Sequence, residues 1–463
     1  MGAEMGGGEM LDLPEALEYF EGDEICVDVF AKYALRDNDG NIIERSPEQM
    51  HRREAREFAR IEAKYTNPMS EDEIFGLLDH FRYVVPQGSP MSGIGNPYQV
   101  QSLSNCFVIE SPYDSYGGIL RTDQEQVQIM KRRGGVGFDI STIRPSGMPT
   151  SNAARTTDGI GIFMERFSNS CREVAQGGRR GALMITISCA HKQIETFIDI
   201  KRDRKKVTGA NVSIRFTDEF MRAVEDDREF TLQWPVDVPV EQAKVTRVVR
   251  AKEIWEKFID ASWESAEPGA LFWDAIIRGS PGDVYVEQGF KTVSTNPCSE
   301  LAIPALESCR LMVIPLTSFV VDPFLPTASF DFKHFRKVTM KAQRLMDDLV
   351  DLEIECIDRI IEKISIDPQP KSIKSVELEL WQGIRSMCIK GRRTGLGPTG
   401  VGDAIAALGM QYGSEASIKF VEEAYKSLTC ASYASSIALA KERGSFPIFS
   451  YGLEQNHQFI NRI

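Results

Sequence analysis

From Leu11 to about Tyr83 the apolar residues recur at the spacing of helices packed by one face. Ala55, Phe58, Ala59 and Ile61 form one such set, and Ile74, Leu77, Leu78 and Phe81 the next. Gly, Ser and Pro crowd the stretch between Pro86 and Pro97 and break this pattern. A helical N-terminal region over residues 1–85 and a main domain over residues 86–463 are therefore expected. In the main domain short apolar or β-branched runs alternate with longer helical patterns. Leu183 to Cys189, Ala210 to Phe216 and Phe230 to Trp234 are predicted strands; Asp218 to Val224 and Lys252 to Ser265 are predicted helices. The alternation predicts an α/β domain on parallel strands, with function at the strand ends. The last quarter is mostly helical. Its best-defined helix starts at Ser414, is expected to bury Ile418, Val421, Tyr425 and Leu428, and stops at Gly444 with Pro447 beyond. Met1 to Met10 is Gly-rich and carries no pattern, and no internal repeat or low-complexity tract is visible.

Composition narrows the class. The 463 residues suffice for one large domain with an appendage or for two or three domains, and 42% hydrophobic with 26% charged residues describes a folded globular chain. A net charge of -13 gives no global basic field for gripping duplex nucleic acid. The cysteines, at 26, 106, 171, 189, 298, 309, 356, 388 and 430, form no CxxC pair and no close Cys/His cluster, so no zinc site is expected. Their odd number and the absence of a signal peptide predict a reducing, cytoplasmic setting. The most apolar run, Leu311 to Val321, is bracketed by Arg310 and Asp322 and interrupted by Pro315, which does not suit a membrane span.

Candidate chemistry concentrates in Asn296-Pro297-Cys298-Ser299-Glu300, a thiol between an amide and a carboxylate on a proline-stiffened turn. An inert structural thiol in an ordinary turn is the alternative. Cys309 follows 11 positions later, and Cys106 lies upstream in Leu103-Ser104-Asn105-Cys106-Phe107-Val108. Two cysteines cycling between dithiol and disulfide beside a third would make a reductase, whereas three unrelated core thiols would make nothing. Arg132-Arg133-Gly134-Gly135-Val136-Gly137-Phe138-Asp139 and Gln176-Gly177-Gly178-Arg179-Arg180-Gly181-Ala182 place glycines beside cations, and together they favour a phosphorylated ligand. Gly395-Leu396-Gly397-Pro398-Thr399-Gly400 satisfies G-x-G-x-x-G, but Lys390-Gly391-Arg392-Arg393 before it is no buried strand, which argues against a dinucleotide fold. None of the five histidines has metal-pair spacing or a nucleophile to serve.

In order and spacing these blocks resemble the catalytic subunit of ribonucleotide reductase, from about Val84 to the C-terminus. The resemblance is carried by LSNCFV at 103–108, GGVGFDIS at 134–141 with IRPSG following, QGGRRGA at 176–182, NVS at 211–213, NPCSE at 296–300 and RRTGLGPTG at 392–400. It implies a ten-stranded α/β barrel of two half-barrels, its second half incomplete here, with a finger loop carrying the central cysteine inward. Cys298 then matches the thiyl radical site, Asn296 the ribose-binding amide, Glu300 the carboxylate that takes the 3′-hydroxyl proton, and Cys106 with Cys309 the reducing pair. Ser104, Asn105, Gly135, Ser299, Gln176 and Arg180 match substrate-binding positions, the last two on the loop that relays effector identity. Asp114, Lys131 and Arg144 match the nucleotide effector site, and the helices after Asp114 and after Arg155 match a homodimer face.

Pro297 and the short gap to Cys309 resemble the adenosylcobalamin-dependent class. A class using a separate metal-bearing radical subunit is the alternative, and a catalytically inactive nucleotide-binding module is another. Nucleoside triphosphate effectors, a di- or triphosphate ribonucleotide substrate and a thioredoxin- or glutaredoxin-like reductant are implied as ligands and partners. No stretch reads as a regulatory ATP-binding cone. Two departures stand out. Arg310-Leu311-Met312 replaces the Asn-Leu-Gly that relatives carry after the second cysteine of the pair, and the sequence ends at Ile463, before the phosphate-cradling segment and the C-terminal cysteine pair. A fragment, or one piece of a split protein completed by a second polypeptide, is therefore expected.

Overall fold

The computed structural model describes residues 13–174 and 181–463. It forms two compact units. One takes in the chain up to Asn105, Arg310–Ile360 and Arg392–Phe446; the other comprises Cys106–Cys309, Ile361–Gly391 and Pro447–Ile463.

The second unit is an α/β layer built on a six-stranded sheet. Cys106–Val108, Gly135–Asp139, Leu183–Ser188, Asn211–Phe216 and Gly269–Phe272 lie side by side, all parallel, and Ser308–Cys309 adds an antiparallel edge against the first of them. The strands at 106–108 and 135–139 are buried throughout, which is why their residues do not alternate polar and apolar. Helices Tyr116–Met130, Ile160–Glu173 and Ile194–Asp199 make the first three crossovers. The Ser115 hydroxyl accepts from the Gly118 N–H to start the first of these helices, and the Thr217 hydroxyl does the same for Asp218–Glu225 through Phe220 N–H. Aromatic contacts join layer to sheet: Phe138 meets Phe167 at 4.9 Å between ring centroids, and Phe216 meets Phe220, Trp255 and Phe258.

The predicted parallel strands and both helices are present within one residue of their expected limits, with one exception in pairing. Glu229–Trp234 does not join the parallel sheet but pairs antiparallel with Val245–Arg250 in a separate two-stranded ribbon. The connection between these two strands is too short for a crossover helix, so an antiparallel return is the geometry available to it.

The first unit is mainly helical. Pro47–Glu62, Glu71–Leu78, the body of Phe332–Ile366 and Glu415–Arg443 surround a core that includes Phe58, Ile61, Ile74, Leu78, Phe335, Leu345 and Phe420. Ser414 and Gly444 cap the last helix as expected, the Ser414 hydroxyl accepting from Ser417 N–H and Gly444 taking φ 90. Its buried face is the expected one in part: Leu428 is buried and Val421 packs partly buried against the core. Phe420, Ala424, Leu428 and Ala431 face inward, whereas Ile418 and Tyr425 are exposed. Small residues decide this: alanines and the serine Ser435, whose hydroxyl donates to the Met340 carbonyl at 2.7 Å, let the helix approach its neighbour closely. A reading weighted by side-chain size finds Leu428 and Val421 but misplaces Ile418 and Tyr425.

A three-stranded sheet completes this unit, with Leu311–Pro315 between Val85–Pro86 and Gly395–Thr399. The glycine-rich motif is thus itself a strand, parallel to 311–315, and only Gly400 uses a positive φ, at the N-cap of Val401–Ala407. Among the described residues no helix is long and apolar enough to cross a membrane.

Charge is buried in this unit as well. Arg443 contacts Glu62, Asp347 and Asp348 at 2.6–2.7 Å, and Arg344 contacts Glu62 and Glu442 at 2.7 and 2.8 Å, tying three helices together. Glu54 is different: it is fully buried, neither carboxylate oxygen has a hydrogen-bond partner, and burial pushes its pKa up to about 8. The folded chain therefore holds a proton that the unfolded chain releases above the ordinary glutamate value of 4.5. Stability is greatest below that value and falls as pH rises towards 8, at a limiting slope of about 1.4 kcal/mol per pH unit. Denaturant melts across this range are expected to show that slope, and Glu54→Gln is expected to flatten it; a wild-type profile as flat as the variant's would contradict the assignment.

Candidate active site

The pentapeptide singled out by sequence occupies the tip of a β-hairpin in the α/β unit. Thr292–Thr295 pairs antiparallel with Ala302–Pro304, placing Ala302 opposite Thr295 and Ile303 opposite Ser294, after which the register shifts. Asn296 closes the loop. Its N–H donates to the Leu301 carbonyl, its Oδ1 accepts from the Leu301 N–H, both at 3.1 Å, and its carbonyl accepts from the Ser299 N–H at 3.0 Å. Ser299 takes φ 64 to complete the turn, and the Thr295 hydroxyl reaches its Oγ at 3.4 Å.

Asn296 is fully buried, yet its Nδ2 has no hydrogen-bond partner. A buried amide donor left unpaired costs about 1–3 kcal/mol, which a ligand oxygen placed against it would recover. Cys298 and Glu300, by contrast, are exposed. Partial burial, and then the nearby Glu300 charge, push the Cys298 thiol above the ordinary cysteine range, so at neutral pH it keeps its S–H. The turn therefore offers an outward thiol and carboxylate beside an inward, unspent amide.

The hairpin lies against the parallel sheet with almost no clearance. A Cβ on Gly137 would stand 1.8 Å from the Thr295 carbonyl oxygen, and one on Gly135 would stand 2.9 Å from Pro297 Cγ. Gly137 thus serves a backbone approach by the protein's own chain, and Gly135 makes room for the Pro297 ring. Asn211, which opens the NVS block, donates from Nδ2 to the Pro297 carbonyl at 2.8 Å. Sequence reasoning noted this block without assigning Asn211 that task, because the hairpin contacts it across 86 positions.

Sheet register supplies the other two cysteines. Cys309 stands directly opposite Cys106 in an antiparallel pair, and Cys106 is in register with Gly135 on the next strand. Cys309, Cys106 and Gly135 form one row, and Pro297, next to Cys298, covers its Gly135 end. Directly opposed antiparallel residues have Cα atoms about 4.5–5.5 Å apart, within the range a disulfide requires. Both cysteines are buried and unbridged.

The remaining candidates are distributed. Asp114 and Arg144 are brought together: Arg144 donates from its backbone N–H and from Nε to the Asp114 carboxylate at 3.0 and 2.8 Å. Lys131 has another partner, Glu377, at 2.8 Å. Gln176 and Arg180 lie outside the described residues. Ser104 and Asn105 belong to the helical unit, where Ser104 Oγ donates to Glu353 at 2.8 Å and accepts from Arg310, and Asn105 Oδ1 accepts from the Ser89 N–H at 2.8 Å. Arg310, the departure noted in sequence, is therefore a buried structural cation: it also donates to the Arg393 carbonyl at 2.7 Å and offsets the burial of Glu353. Among the described residues no group of three or more His, Cys, Asp or Glu side chains could hold a metal ion.

Comparison with known proteins adds an independent observation. Residues 104–459 match the family model described as ribonucleotide reductase, barrel domain. A vitamin B12-dependent ribonucleoside-diphosphate reductase from Thermoplasma acidophilum is 29% identical, over 93% of this chain and 58% of its own. One of the same description from Mycobacterium tuberculosis is 28% identical, over 90% of this chain and 55% of its own. A ribonucleoside-diphosphate reductase large chain from Neurospora crassa is 26% identical, over 75% of this chain and 37% of its own. The chain spans about half the length of the curated relatives it matches.

Two outcomes are expected from this geometry. Mild oxidation should yield a Cys106–Cys309 cross-linked peptide on non-reducing digestion, with Cys298 left free; a mixed or scrambled pattern would contradict the register. Alkylation of Cys298 should accelerate through an apparent pKa above that of ordinary cysteine, and Glu300→Gln should lower that pKa, since it removes one of the two effects holding the proton on.

Proposed function

The chain belongs to the ribonucleotide reductase barrel family, and on that premise we propose that it carries the reactive turn and the reducing cysteine pair of a catalytic chain that converts ribonucleotides to 2′-deoxyribonucleotides. The observation that carries this reading is the row of Cys309, Cys106 and Gly135 with the Cys298 turn seated at its end. That arrangement sets one protonated, accessible thiol near two thiols already opposed for oxidation.

Each residue has a task that its chemistry fits. Cys298, as a thiyl radical, takes the hydrogen atom from the ribose 3′ carbon and returns one at the end of turnover. The Asn296 Nδ2 donor orients a ribose hydroxyl, which explains why it is buried and unspent. Glu300 accepts the 3′-hydroxyl proton as general base. Cys106 and Cys309 together give up two electrons and their protons, so the 2′-hydroxyl departs as water and the pair ends as a disulfide. A thioredoxin- or glutaredoxin-like dithiol then restores the pair. The exposed Cys298 thiol fits a group that draws a hydrogen atom from sulfur, which is the chemistry adenosylcobalamin supplies when bound; the B12-dependent description of the relatives favours it over a separate metal-bearing subunit.

The parallel strands from Cys106 to Phe272 are read as one half of a ten-stranded barrel running from residue 86, with Leu311–Pro315 and Gly395–Thr399 as strands of the other half. The Asp114–Arg144 pair is read as part of a nucleotide effector site. Exposed Tyr113, Tyr116, Leu120 and Ile162, at or on the helices after Asp114 and Arg155, support a homodimer face there.

With ribonucleoside di- and triphosphates, adenosylcobalamin and a dithiol, the chain, joined by any second polypeptide it requires, is expected to form deoxyribonucleotide. Cys298→Ala is expected to lower turnover by roughly 10³-fold or more, as loss of an essential nucleus of catalysis does. Retained turnover in that variant would overturn the role of Cys298, and activity that depends on an added iron or manganese subunit would overturn the choice of cofactor.

A further inference from the structure

The hairpin that carries Asn296–Glu300 does not specify its own register. Its strands are short, its ladder shifts between Ile303 and Pro304, and a two-stranded hairpin is marginal alone. A slip by one residue would send each of its side chains to the opposite face and re-aim the turn. Register must come from the sheet beneath. Close approach at Gly137 sets the separation of hairpin and sheet.

Directional bonds supply what remains. Thr186, on the strand Leu183–Ser188, donates its hydroxyl proton to Asp139 Oδ2 at 3.0 Å, and its oxygen lies 2.9 Å from Ser294 Oγ on the hairpin. A hydroxyl has one proton to give, so Ser294 donates to Thr186 and Thr186 to Asp139, a chain with a fixed direction. Asp139 is itself held: Oδ1 accepts from the Ser141 N–H at 3.0 Å, and Arg215 Nε lies 2.9 Å from Oδ2 as an ion pair. Arg215 then donates from Nη1 to the Val293 carbonyl at 3.1 Å and from Nη2 to Ser141 Oγ at 3.2 Å, with Trp273 stacked 4.7 Å from its guanidinium. Two of the hairpin groups gripped, Val293 O and Ser294 Oγ, are consecutive, and Asn211 holds a third, the Pro297 carbonyl, at 2.8 Å. A one-residue slip would present Val293 or Thr295 to Thr186 in place of Ser294.

We propose that Thr186 and Arg215, anchored on Asp139, are positioning residues that fix the register of the 292–304 hairpin and so the aim of Cys298. The inference rests on reading that turn as the reactive one, and its test separates the two. Thr186→Val keeps the branched shape and removes the hydroxyl, leaving Ser294 and Asp139 each short of a partner. Amide exchange over residues 292–304 is expected to rise roughly tenfold, while exchange in Asn211–Phe216 stays within about twofold of the unaltered chain. Thr186→Ser restores protection. Ser294→Ala gives the same rise from the hairpin side, and the double variant with Thr186→Val adds little to either, as expected for one shared bond. In the reductase assay kcat falls about tenfold with KM unchanged, and Thr186→Ser recovers it. Unchanged exchange in 292–304, an equal rise across Asn211–Phe216, or failure of Thr186→Ser to restore protection would overturn the proposal. The exchange arm stands whether or not the chain reduces ribonucleotides.

Discussion

The α/β unit depends on one close approach: the Thr295 carbonyl passes so near Gly137 that a methyl group there would overlap it. Because Gly137 carries no side chain, the hairpin can lie on the face of the sheet with little clearance. Pro297 then rests over Gly135, Asn211 catches the Pro297 carbonyl, and the turn from Asn296 to Glu300 is held from below. That contact sets how closely the hairpin lies on the sheet, and the bonds from Thr186, Arg215 and Asn211 meet it there. Within the glycine-rich 134–141 block, Gly137 makes room for backbone and Gly135 for the Pro297 ring.

The site also illustrates a division of exposure. Asn296, Thr186 and Asp139 are buried, Thr186 bonded to Asp139 and Asn296 to its own loop save for Nδ2, whereas the Cys298 thiol and Glu300 carboxylate face outward. Burial of the first set gives directional hydrogen bonds in a medium of low dielectric, where they are strongest. Partial burial of Cys298 has a chemical consequence of its own, since a thiol kept protonated retains the hydrogen atom that radical chemistry would require. Cys106 and Cys309 stand directly opposite one another in the ladder, the adjacency that the proposed redox pair requires.

Much of this was legible from residues alone. Periodicity located the strands at 183–188 and 211–216 and the helices at 218–225 and 251–265, because buried parallel strands and one-faced helices leave different spacings. Ser414 and Gly444 marked the limits of a long helix, because capping is local chemistry. The motif blocks named the cysteines and the turn. Partners were less legible. The face buried by Glu415–Arg443 depended on small residues that carry no hydrophobic signal, and the Arg310 departure made sense only beside Glu353 and Ser104.

Sequence by itself determined the class of elements, the order of the motifs and which side chains are candidates for chemistry, since each of these is written in neighbouring residues. Tertiary structure alone decided that Glu229–Trp234 leaves the parallel sheet and that Thr186, Asn211 and Arg215 bond to the hairpin, and it set Cys309 opposite Cys106, the pair the resemblance implied, across 203 positions. Those facts belong to strand register and to contacts between distant segments. Their energies arise only when the chain has closed upon itself, so no local pattern can announce them.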